Sequence, residues 1–364
     1  MDKRIVFATA GSGKTFYIAN DVKSNERAIL ISFTNSNVDN IQKEVMKRFG
    51  GIIPKNIQVL TFDTFVYNHL IKPFEPLYLE RKSRGVDVKT ILIEDSRDKR
   101  YISMSEIKHY INNNDEFYIN RMSKFFLNRD KKTQKLIISR LERYCDSIYI
   151  DEFQDYNGYD FKVIKFLLEK TNIKVIAVGD INQSCLVPLR GIGNRVAKEP
   201  FHNIKTVDDL KKKLSSKISY DEQSLRKSRR VPKLTCEFIR SNLEIKMESS
   251  SEVSNTIIYL EDINDINNII QNNDIPKLVW NKSIKNPLGY KYTNWTYSKG
   301  DTYLKSCIIL TSKTDDIDNW KNLSSGKVKN ALYVALTRSK GDLYIIKSKD
   351  YLKWCRYIEK DFSE

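Results

Sequence analysis

The sequence has few cysteines and no long apolar run. Its five cysteines are isolated from one another along the chain and form no CxxC pair. This spacing argues against a zinc site or a disulfide framework and favours a reducing compartment. No stretch approaches the roughly 18 consecutive apolar residues that a membrane-spanning helix needs, and the N-terminus has no signal-type apolar core. We therefore expect a cytoplasmic protein without a membrane partner.

The sequence also lacks internal repeats and long low-complexity tracts. Its 364 residues are enough for two domains of ordinary size. What it has in excess is positive charge, because 62 Lys and Arg residues against 46 Asp and Glu give a net charge of +16. Such a surplus attracts phosphate chains such as nucleic acids. A composition biased towards Lys, Asn and Ile would give the same surplus, so the charge alone leaves both interpretations open.

Apolar runs alternate with helical patterns in both halves of the chain. The first half contains RIVFATA (4–10), FYIANDVK (16–23), RAILISFT (27–34), a helical pattern over 37–48, IQVLTF (57–62), SIYIDEF (147–153) and IKVIAVGD (173–180). The second half contains TIIYLED (256–262), DINNIIQ (265–271), KLVW (277–280), SCIILTS (306–312), ALYVALT (331–337) and DLYIIKS (342–348). Strand followed by helix, repeated, predicts an α/β fold with parallel sheets and helices on both faces.

Two stretches interrupt this alternation. Residues 75–145 are highly charged and predict a mostly helical insertion within the first domain, as in SEIKHYINNN (105–114) and KKTQKLIISRLERYC (131–145). Residues 205–223 are polar and rich in lysine, and we interpret them as a hinge region.

The stretch ATAGSGKT, residues 8–15, fits the looser form of the phosphate-binding loop pattern. Its small residues let main-chain N–H groups surround phosphates, Lys14 can reach the terminal phosphates, and the Thr15 hydroxyl can bind Mg²⁺. The preceding strand and the following helix are the context that the pattern requires. The predicted phosphate-binding residues are Ala8, Thr9, Ala10, Gly11, Ser12, Gly13, Lys14 and Thr15.

The stretch IYIDEFQDY, residues 148–156, places two adjacent acids at the end of a buried strand. In phosphate-loop nucleotidases, an acid at this position holds Mg²⁺, and a second acid can orient the attacking water. Asp151 suits the first role and Glu152 the second. The other interpretation is that both acids only cap the next helix.

Taken in order, eight stretches resemble the motifs of superfamily 1 DNA helicases of the UvrD/Rep type. They are ATAGSGKT (motif I), SFTNSNVDNI (Ia), LTFDTF (Ib), YIDEFQD (II), AVGDINQS (III), LRKSRRVPKL (IV), YSKGDTY (V) and ALYVALTRSKGDLYI (VI). Motifs I, II, III and VI are specific, whereas IV and V match loosely. The resemblance spans nearly the whole chain.

This resemblance implies two tandem RecA-like domains that bind ATP and Mg²⁺ between them. The first would cover residues 1–205, including the insertion at 75–145, and the second residues 206–364. It implies ATP hydrolysis coupled to movement along single-stranded DNA, usually from 3′ to 5′.

The resemblance also implies roles for residues at the ATP site. Lys14 and Thr15 would bind phosphate and Mg²⁺, Asp151 would bind Mg²⁺, and Glu152 would be the general base. The residues expected around the terminal phosphate are Gln154, Gln183, Arg230 and Arg338. Arg229 stands where the family has an aromatic that stacks on adenine, and Gly300 and Thr302 would lie near the ribose and phosphate.

The positions that the family uses to contact DNA carry Thr34, Asn35, Thr61, Phe62, Phe65 and Arg190. Threonine and asparagine suit phosphate contacts, and aromatic rings suit base stacking. Phe62 and Phe65 have a second interpretation, as ordinary residues of the hydrophobic core.

The sequence departs from the family after motif III, where Leu189 replaces an aromatic that stacks on bases, and its accessory insertions are small. A second hypothesis is therefore a DNA-sensing ATPase that regulates a partner, such as a nuclease in phage defence or repair, without unwinding DNA by itself. A third, a phosphate-loop ATPase that acts on something other than nucleic acid, is disfavoured by motifs Ia, Ib and III.

Overall fold

The computed structural model describes residues 2–90, 102–185, 200–201, 204, 206–318 and 326–361. The chain divides into two compact units. The first unit consists of Met1–Phe7, Lys14–Ile181 and Val187–Asp221, and the second of Ala8–Gly13, Asn182–Leu186 and Glu222–Glu364. The main chain of the predicted phosphate loop therefore groups with the second unit, whereas Lys14 groups with the first.

Most residues of a six-stranded sheet, counted over the described residues, belong to the first unit and form its centre. Its strands are β1 (Lys3–Ala8), β2 (Ala28–Ser32), β3 (Ile57–Thr61), β6 (Ser147–Ile150), β7 (Lys174–Gly179) and β8 (Ser219–Leu225), in the order β3-β2-β6-β7-β1-β8. The first five pair in parallel. Because β2 and β6 are buried along their whole length, both read in the sequence as continuous apolar runs.

The helices of the first unit, together with a small accessory sheet, surround this centre. The helices are α1 (Lys14–Asp21), α2 (Asn35–Arg48), α3 (Phe62–Phe65), α4 (Met122–Leu127), α5 (Lys131–Tyr144), α6 (Gly158–Lys170) and α7 (Val207–Lys211). Strands β4 (Gly85–Asp87) and β5 (Glu116–Tyr118) pair in parallel. After α3 the chain continues as a π-helical turn, Val66–Ile71, and a 3₁₀ turn, Lys72–Leu77.

The second unit contains another parallel sheet, of five strands within the described residues. Its strands are β11 (Ile257–Leu260), β12 (Lys277–Val279), β13 (Tyr292–Asn294), β14 (Ser306–Ile309) and β15 (Leu343–Ile346), in the order β11-β15-β14-β12-β13. The short strands β9 (Lys227–Ser228) and β10 (Glu248–Ser249) pair separately. The helices are α8 (Lys233–Leu243), α9 (Ile263–Gln271), α10 (Gly326–Leu336) and α11 (Ser348–Asp361).

This architecture confirms the predicted α/β class with parallel sheets. The helical prediction for 131–145 matches α5, but that for 105–114 is wrong, since only Ile107–His109 form a 3₁₀ turn there. The Asn112 side-chain oxygen accepts hydrogen bonds from the N–H groups of Asn114 and Glu116, and such local bonds compete with a helix. The predicted hinge stretch contains α7 and the start of β8. In the part of the chain that is described, no helix has the length and apolar character needed to cross a membrane.

Candidate nucleotide and nucleic-acid sites

The two acids that follow β6 differ in backbone conformation and surroundings. Asp151 is 2% exposed; its N–H donates to the Ile31 carbonyl at 2.8 Å, and its carboxylate accepts from the Ser32 hydroxyl at 3.5 Å. Glu152 has φ 50° and ψ 45°, a left-handed conformation that is uncommon for residues other than glycine. Such a conformation costs on the order of 1–3 kcal/mol and persists when surrounding contacts hold it. The turn therefore directs the second acid away from the extended course of the strand.

Contacts to Lys14 and Gln154 hold the Glu152 side chain. The Lys14 ammonium lies 3.4 Å from Glu152 Oε1, and both side chains are mostly buried. The amide nitrogen of Gln154 donates a hydrogen bond to Glu152 Oε2. The Oε1 atom of Gln154 accepts a hydrogen bond from the Asp180 N–H at 2.8 Å. One ion pair and two hydrogen bonds thus connect residues of motifs I, II and III, from the start of α1 to the residue after β7.

Gly179, the last residue of β7, leaves the space that Gln154 occupies. A Cβ atom on Gly179 would lie 2.5 Å from Gln154 Oε1 and 3.0 Å from the Phe153 main-chain nitrogen. Any side chain at this position would therefore displace the loop that carries the acids.

The oxygen donors near these acids suit a hard cation such as Mg²⁺. Thr15 lies in the first turn of α1 beside Lys14, and Asp151 offers a buried carboxylate. Among the described residues, no group of three or more His, Cys, Asp or Glu could hold a metal ion. A site with one carboxylate and one hydroxyl fits Mg²⁺, which keeps water ligands and shares substrate phosphates rather than using an all-protein cage.

Within the second unit, the phosphate loop is held by main-chain and side-chain hydrogen bonds. The Thr9 N–H donates to the Leu225 carbonyl at 3.0 Å, and the Gly11 carbonyl accepts from the Arg229 N–H at 2.9 Å. Gly11 and Gly13 have φ of 72° and 91°, so both positions favour glycine. A Cβ on Gly11 would lie 2.7 Å from the Cβ of Arg230.

The predicted arginines lie in different surroundings. Arg229 is exposed, and a Cβ on Gly13 would lie 3.6 Å from its guanidinium carbon. Arg230 donates to the Thr302 hydroxyl at 3.2 Å. Arg338 is 1% exposed.

The Arg338 guanidinium contacts acceptors of its own unit. Its Nε donates to the Val334 carbonyl at 2.8 Å and its Nη2 to the Thr337 hydroxyl at 3.0 Å. Longer contacts of 3.5 and 3.4 Å reach the carbonyls of Ser298 and Asp301, which flank Gly300. Gly300 has φ 99°, so motif V curves around this guanidinium through a glycine conformation.

Gln183, the other residue expected near the terminal phosphate, ends a 3₁₀ turn, Ile181–Gln183, and is buried. The structure groups it with the second unit. Arg190 and Leu189 lie outside the described residues.

Three of the predicted DNA contacts line one groove of the first unit. The groove has a volume of about 560 Å³. It is lined by Phe33, Thr34, Asn35, Thr61, Asp63, Thr64, Tyr67, Asn68, Val86, Val88 and Ile119. Hydroxyl and amide groups from the ends of β2 and β3 thus face aromatic rings and an apolar wall from the accessory sheet.

The structure places Phe62 and Phe65 in the hydrophobic core instead, at 1% and 0% exposure. Their rings do not face the groove, so their second interpretation, as core residues, describes them correctly. The groove's aromatic rings belong to Phe33 and Tyr67, which the sequence interpretation missed. The 3.6-residue spacing of an α-helix gives no signal for Tyr67, because the chain enters the π-helical turn Val66–Ile71 directly after α3.

Comparisons with known proteins agree with this description. A family model described as AAA domain matches residues 2–188, slightly more than half of the 364 residues. No match was found among curated proteins. The solved structure of an arterivirus helicase, nonstructural protein 10, has a TM-score of 0.50 and 14% identity, covering 97% of this chain and 61% of its own.

Two further helicase structures were compared. The arterivirus nonstructural protein 10 in complex with DNA has a TM-score of 0.48 and 15% identity, covering 94% of this chain and 60% of its own. The PRRSV helicase has a TM-score of 0.46 and 12% identity, covering 96% and 53%. The chain thus spans only 53% to 61% of the length of these helicases.

At 14% identity, the likeness to the first arterivirus helicase concerns the fold, and it extends over both parallel sheets. The family match has a separate basis, since it covers the phosphate loop, the acids after β6 and the end of β7. The chain belongs to the AAA domain family.

Proposed function

We propose that this chain is an ATP-dependent DNA helicase or translocase of the UvrD/Rep type. It hydrolyses ATP between two RecA-like domains, residues 1–205 and 206–364, and moves along single-stranded DNA from 3′ to 5′. The observation that carries the proposal is the connection from Lys14 through Glu152 and Gln154 to Asp180, by one ion pair and two hydrogen bonds. It joins the phosphate loop, the candidate base and motif III, the three parts that an ATP-driven motor has to coordinate.

At the proposed ATP site, Lys14, Asp151 and Glu152 have different roles. Lys14 would bind the terminal phosphates, and Thr15 and Asp151 would hold Mg²⁺, whose charge would offset that of the phosphate oxygens. Glu152 takes a proton from the attacking water. Its carboxylate lies 3.4 Å from the Lys14 ammonium, which places the proposed base beside the group that binds the phosphates.

By resemblance to the family, two arginines also take part in the proposed chemistry. Arg230 and Arg338 stabilise charge on the transferring phosphoryl group, a role worth about 10³ to 10⁵ in rate where it has been measured in related chemistry. Arg229, Gly300 and Thr302 border the nucleotide, and Gln183 senses the terminal phosphate. The buried guanidinium of Arg338 is oriented by main-chain carbonyls, which leaves it little rotamer freedom to lose on binding ATP.

The groove of the first unit is the proposed DNA site. Thr34, Asn35 and Thr61 contact phosphates, and the rings of Phe33 and Tyr67 stack on bases. The resemblance to the helicase motifs implies that Arg190 adds a positive charge to this DNA site. The contacts of Asp151 with Ile31 and Ser32 link the metal site to β2, whose end leads directly into the groove. Changes at the phosphates would therefore have a short route to the DNA contacts, through these hydrogen bonds and then along the main chain after β2.

The test is ATP hydrolysis measured with no nucleic acid, single-stranded DNA, duplex DNA and RNA. We expect single-stranded DNA to stimulate turnover and rising salt to reduce the stimulation, because phosphate contacts release counterions. Tyr67→Ala should weaken stimulation, whereas Tyr144→Ala, which removes an exposed ring from α5, should not. Lys14→Ala should abolish hydrolysis. Turnover that is indifferent to every nucleic acid would contradict the motor.

A second candidate is the DNA-sensing ATPase that regulates a partner such as a nuclease. It is favoured by Leu189, which stands where the family has a base-stacking aromatic. Loss of one stacked base weakens the binding free energy for DNA by about 1–3 kcal/mol. A strand-displacement assay distinguishes the two candidates. Unwinding by the purified chain supports the helicase, and DNA-stimulated hydrolysis without unwinding supports the sensor.

A further inference from the structure

Tyr333, a buried residue of α10, uses its hydroxyl to contact the phosphate loop. The side chain is 0% exposed, and its Oη accepts a hydrogen bond from the Ala10 N–H at 2.9 Å. Both residues belong to the second unit. The sequence motifs assign Tyr333 no role, and its ring alone would satisfy a hydrophobic core. The polar contact to a loop residue therefore needs its own explanation.

From Tyr333 a path of hydrogen bonds continues to Arg338. The Tyr333 carbonyl accepts from the Thr337 hydroxyl at 2.9 Å, and the same hydroxyl accepts from Arg338 Nη2 at 3.0 Å. Arg338 Nε also donates to the Val334 carbonyl, the next residue of α10. The guanidinium is thus fixed to the C-terminal end of the helix that Tyr333 ties to the loop.

The other polar group of Ala10 is held by the segment that carries the second arginine. The Ser228 hydroxyl donates to the Ala10 carbonyl at 2.7 Å and accepts from the Val231 N–H at 2.9 Å. Arg230 lies between these two residues of the chain. One loop residue, Ala10, is therefore a common anchor for both segments that carry the proposed phosphate-stabilising arginines.

We propose that Tyr333 is a positioning residue that sets Arg338 relative to the phosphate loop. The inference rests on the proposed ATP hydrolysis. An arginine that stabilises charge developing in the transition state affects kcat more than ground-state binding. Because a displacement of about 1 Å can cost about 100-fold in rate, loss of the Tyr333 hydroxyl should lower kcat by about 10- to 100-fold. The KM for ATP should change little.

Tyr333→Phe tests this, because it removes one oxygen and keeps the ring in the core. The matched control is Tyr351→Phe, which removes another buried hydroxyl of the second unit. This hydroxyl forms a hydrogen bond of 3.0 Å with the Tyr292 hydroxyl, and Tyr351 is remote in sequence from the phosphate loop. We measure kcat and KM for ATP with saturating single-stranded DNA, and the midpoint of thermal unfolding, for both variants. Tyr333→Phe should lose kcat at nearly unchanged KM, while Tyr351→Phe should keep both.

If Tyr333→Phe does not fold, Thr337→Val interrupts the same path one step later and should give the same loss of kcat. A normal kcat in the folded variants would overturn the inference, as would a raised KM with unchanged kcat, or an equal loss in Tyr351→Phe. These outcomes differ from failure of the proposed function, in which the wild-type chain itself shows no hydrolysis. In that case both proposals fall together.

Discussion

Replacing Gly179 by alanine tests how strictly the end of β7 positions the loop that carries Asp151 and Glu152. The new Cβ would lie 2.5 Å from Gln154 Oε1 and 3.0 Å from both the Cβ and the main-chain nitrogen of Phe153. The Gln154 amide could rotate away, but the Phe153 backbone cannot. Overpacking of this kind costs about 1–3 kcal/mol, and displacing Gln154 leaves the buried Asp180 N–H without its acceptor, which costs a further 1–3 kcal/mol or so.

A smaller effect opposes these costs, because alanine restricts the unfolded chain more than glycine and stabilises by about 0.4–1 kcal/mol. The clash exceeds it, so we expect Gly179→Ala to be destabilised by about 1–6 kcal/mol, the net of these ranges. It should also lower kcat for ATP, because Gln154 holds Glu152. Gly326→Ala is the matched control, since no atom of the described residues lies within 4 Å of a Cβ there.

The assay compares unfolding midpoints in urea and ATP turnover for the two alanine variants and the wild-type chain. Gly326 opens α10, where alanine has the higher helix propensity, so the control should be as stable as the wild type or more so. The two substitutions should thus change the free energy of unfolding in opposite directions. Wild-type stability and turnover in Gly179→Ala would refute the reasoning.

The remaining predictions concern the groove, the core and acid stability. Phe62→Ala should lower the free energy of unfolding by about 3–5 kcal/mol, as for other buried phenylalanines. Tyr67→Ala should lower mainly the affinity for DNA, measured by fluorescence anisotropy. The reverse pattern would contradict the assignment of Phe62 to the core and of Tyr67 to the groove. Burial, with a smaller effect of Arg140, lowers the pKa of His69 to about 4. Since the unfolded ring titrates near 6.5, the unfolded chain binds more protons, and stability should fall as the pH drops from about 6.5 to about 4. His69→Gln should flatten this part of the pH profile of the unfolding midpoint, and an unchanged profile would argue against the neutral ring.

The sheets were predictable because their strands are continuous apolar runs bounded by loops. The run over 147–153 becomes β6, Ser147–Ile150, and the run over 173–180 becomes β7, Lys174–Gly179. The strands are a few residues shorter than the quoted stretches, because acidic residues, Asp151 after β6 and Asp180 after β7, follow the last residue of each strand. The fold class was therefore predictable from periodicity alone.

Other features depend on tertiary contacts that no local pattern reports. The helix expected over 105–114 yields to hydrogen bonds of the Asn112 side chain. Motif spacing identified the groove segments but could not distinguish the buried Phe62 from the groove-lining Tyr67, since both are aromatic residues of one short stretch. The contact between Tyr333 and Ala10 joins residues 323 positions apart, which a sequence alone cannot anticipate.

The central claim is that Glu152 activates water for ATP hydrolysis that single-stranded DNA stimulates. The most direct measurement is phosphate release by the wild type and Glu152→Gln at saturating ATP and single-stranded DNA, with ATP binding measured in parallel. Glutamine keeps the size of the side chain and removes the proton acceptor. We predict that Glu152→Gln binds ATP normally and releases phosphate at least about 100-fold more slowly, within the range for loss of a general base. Normal phosphate release by Glu152→Gln would contradict the account.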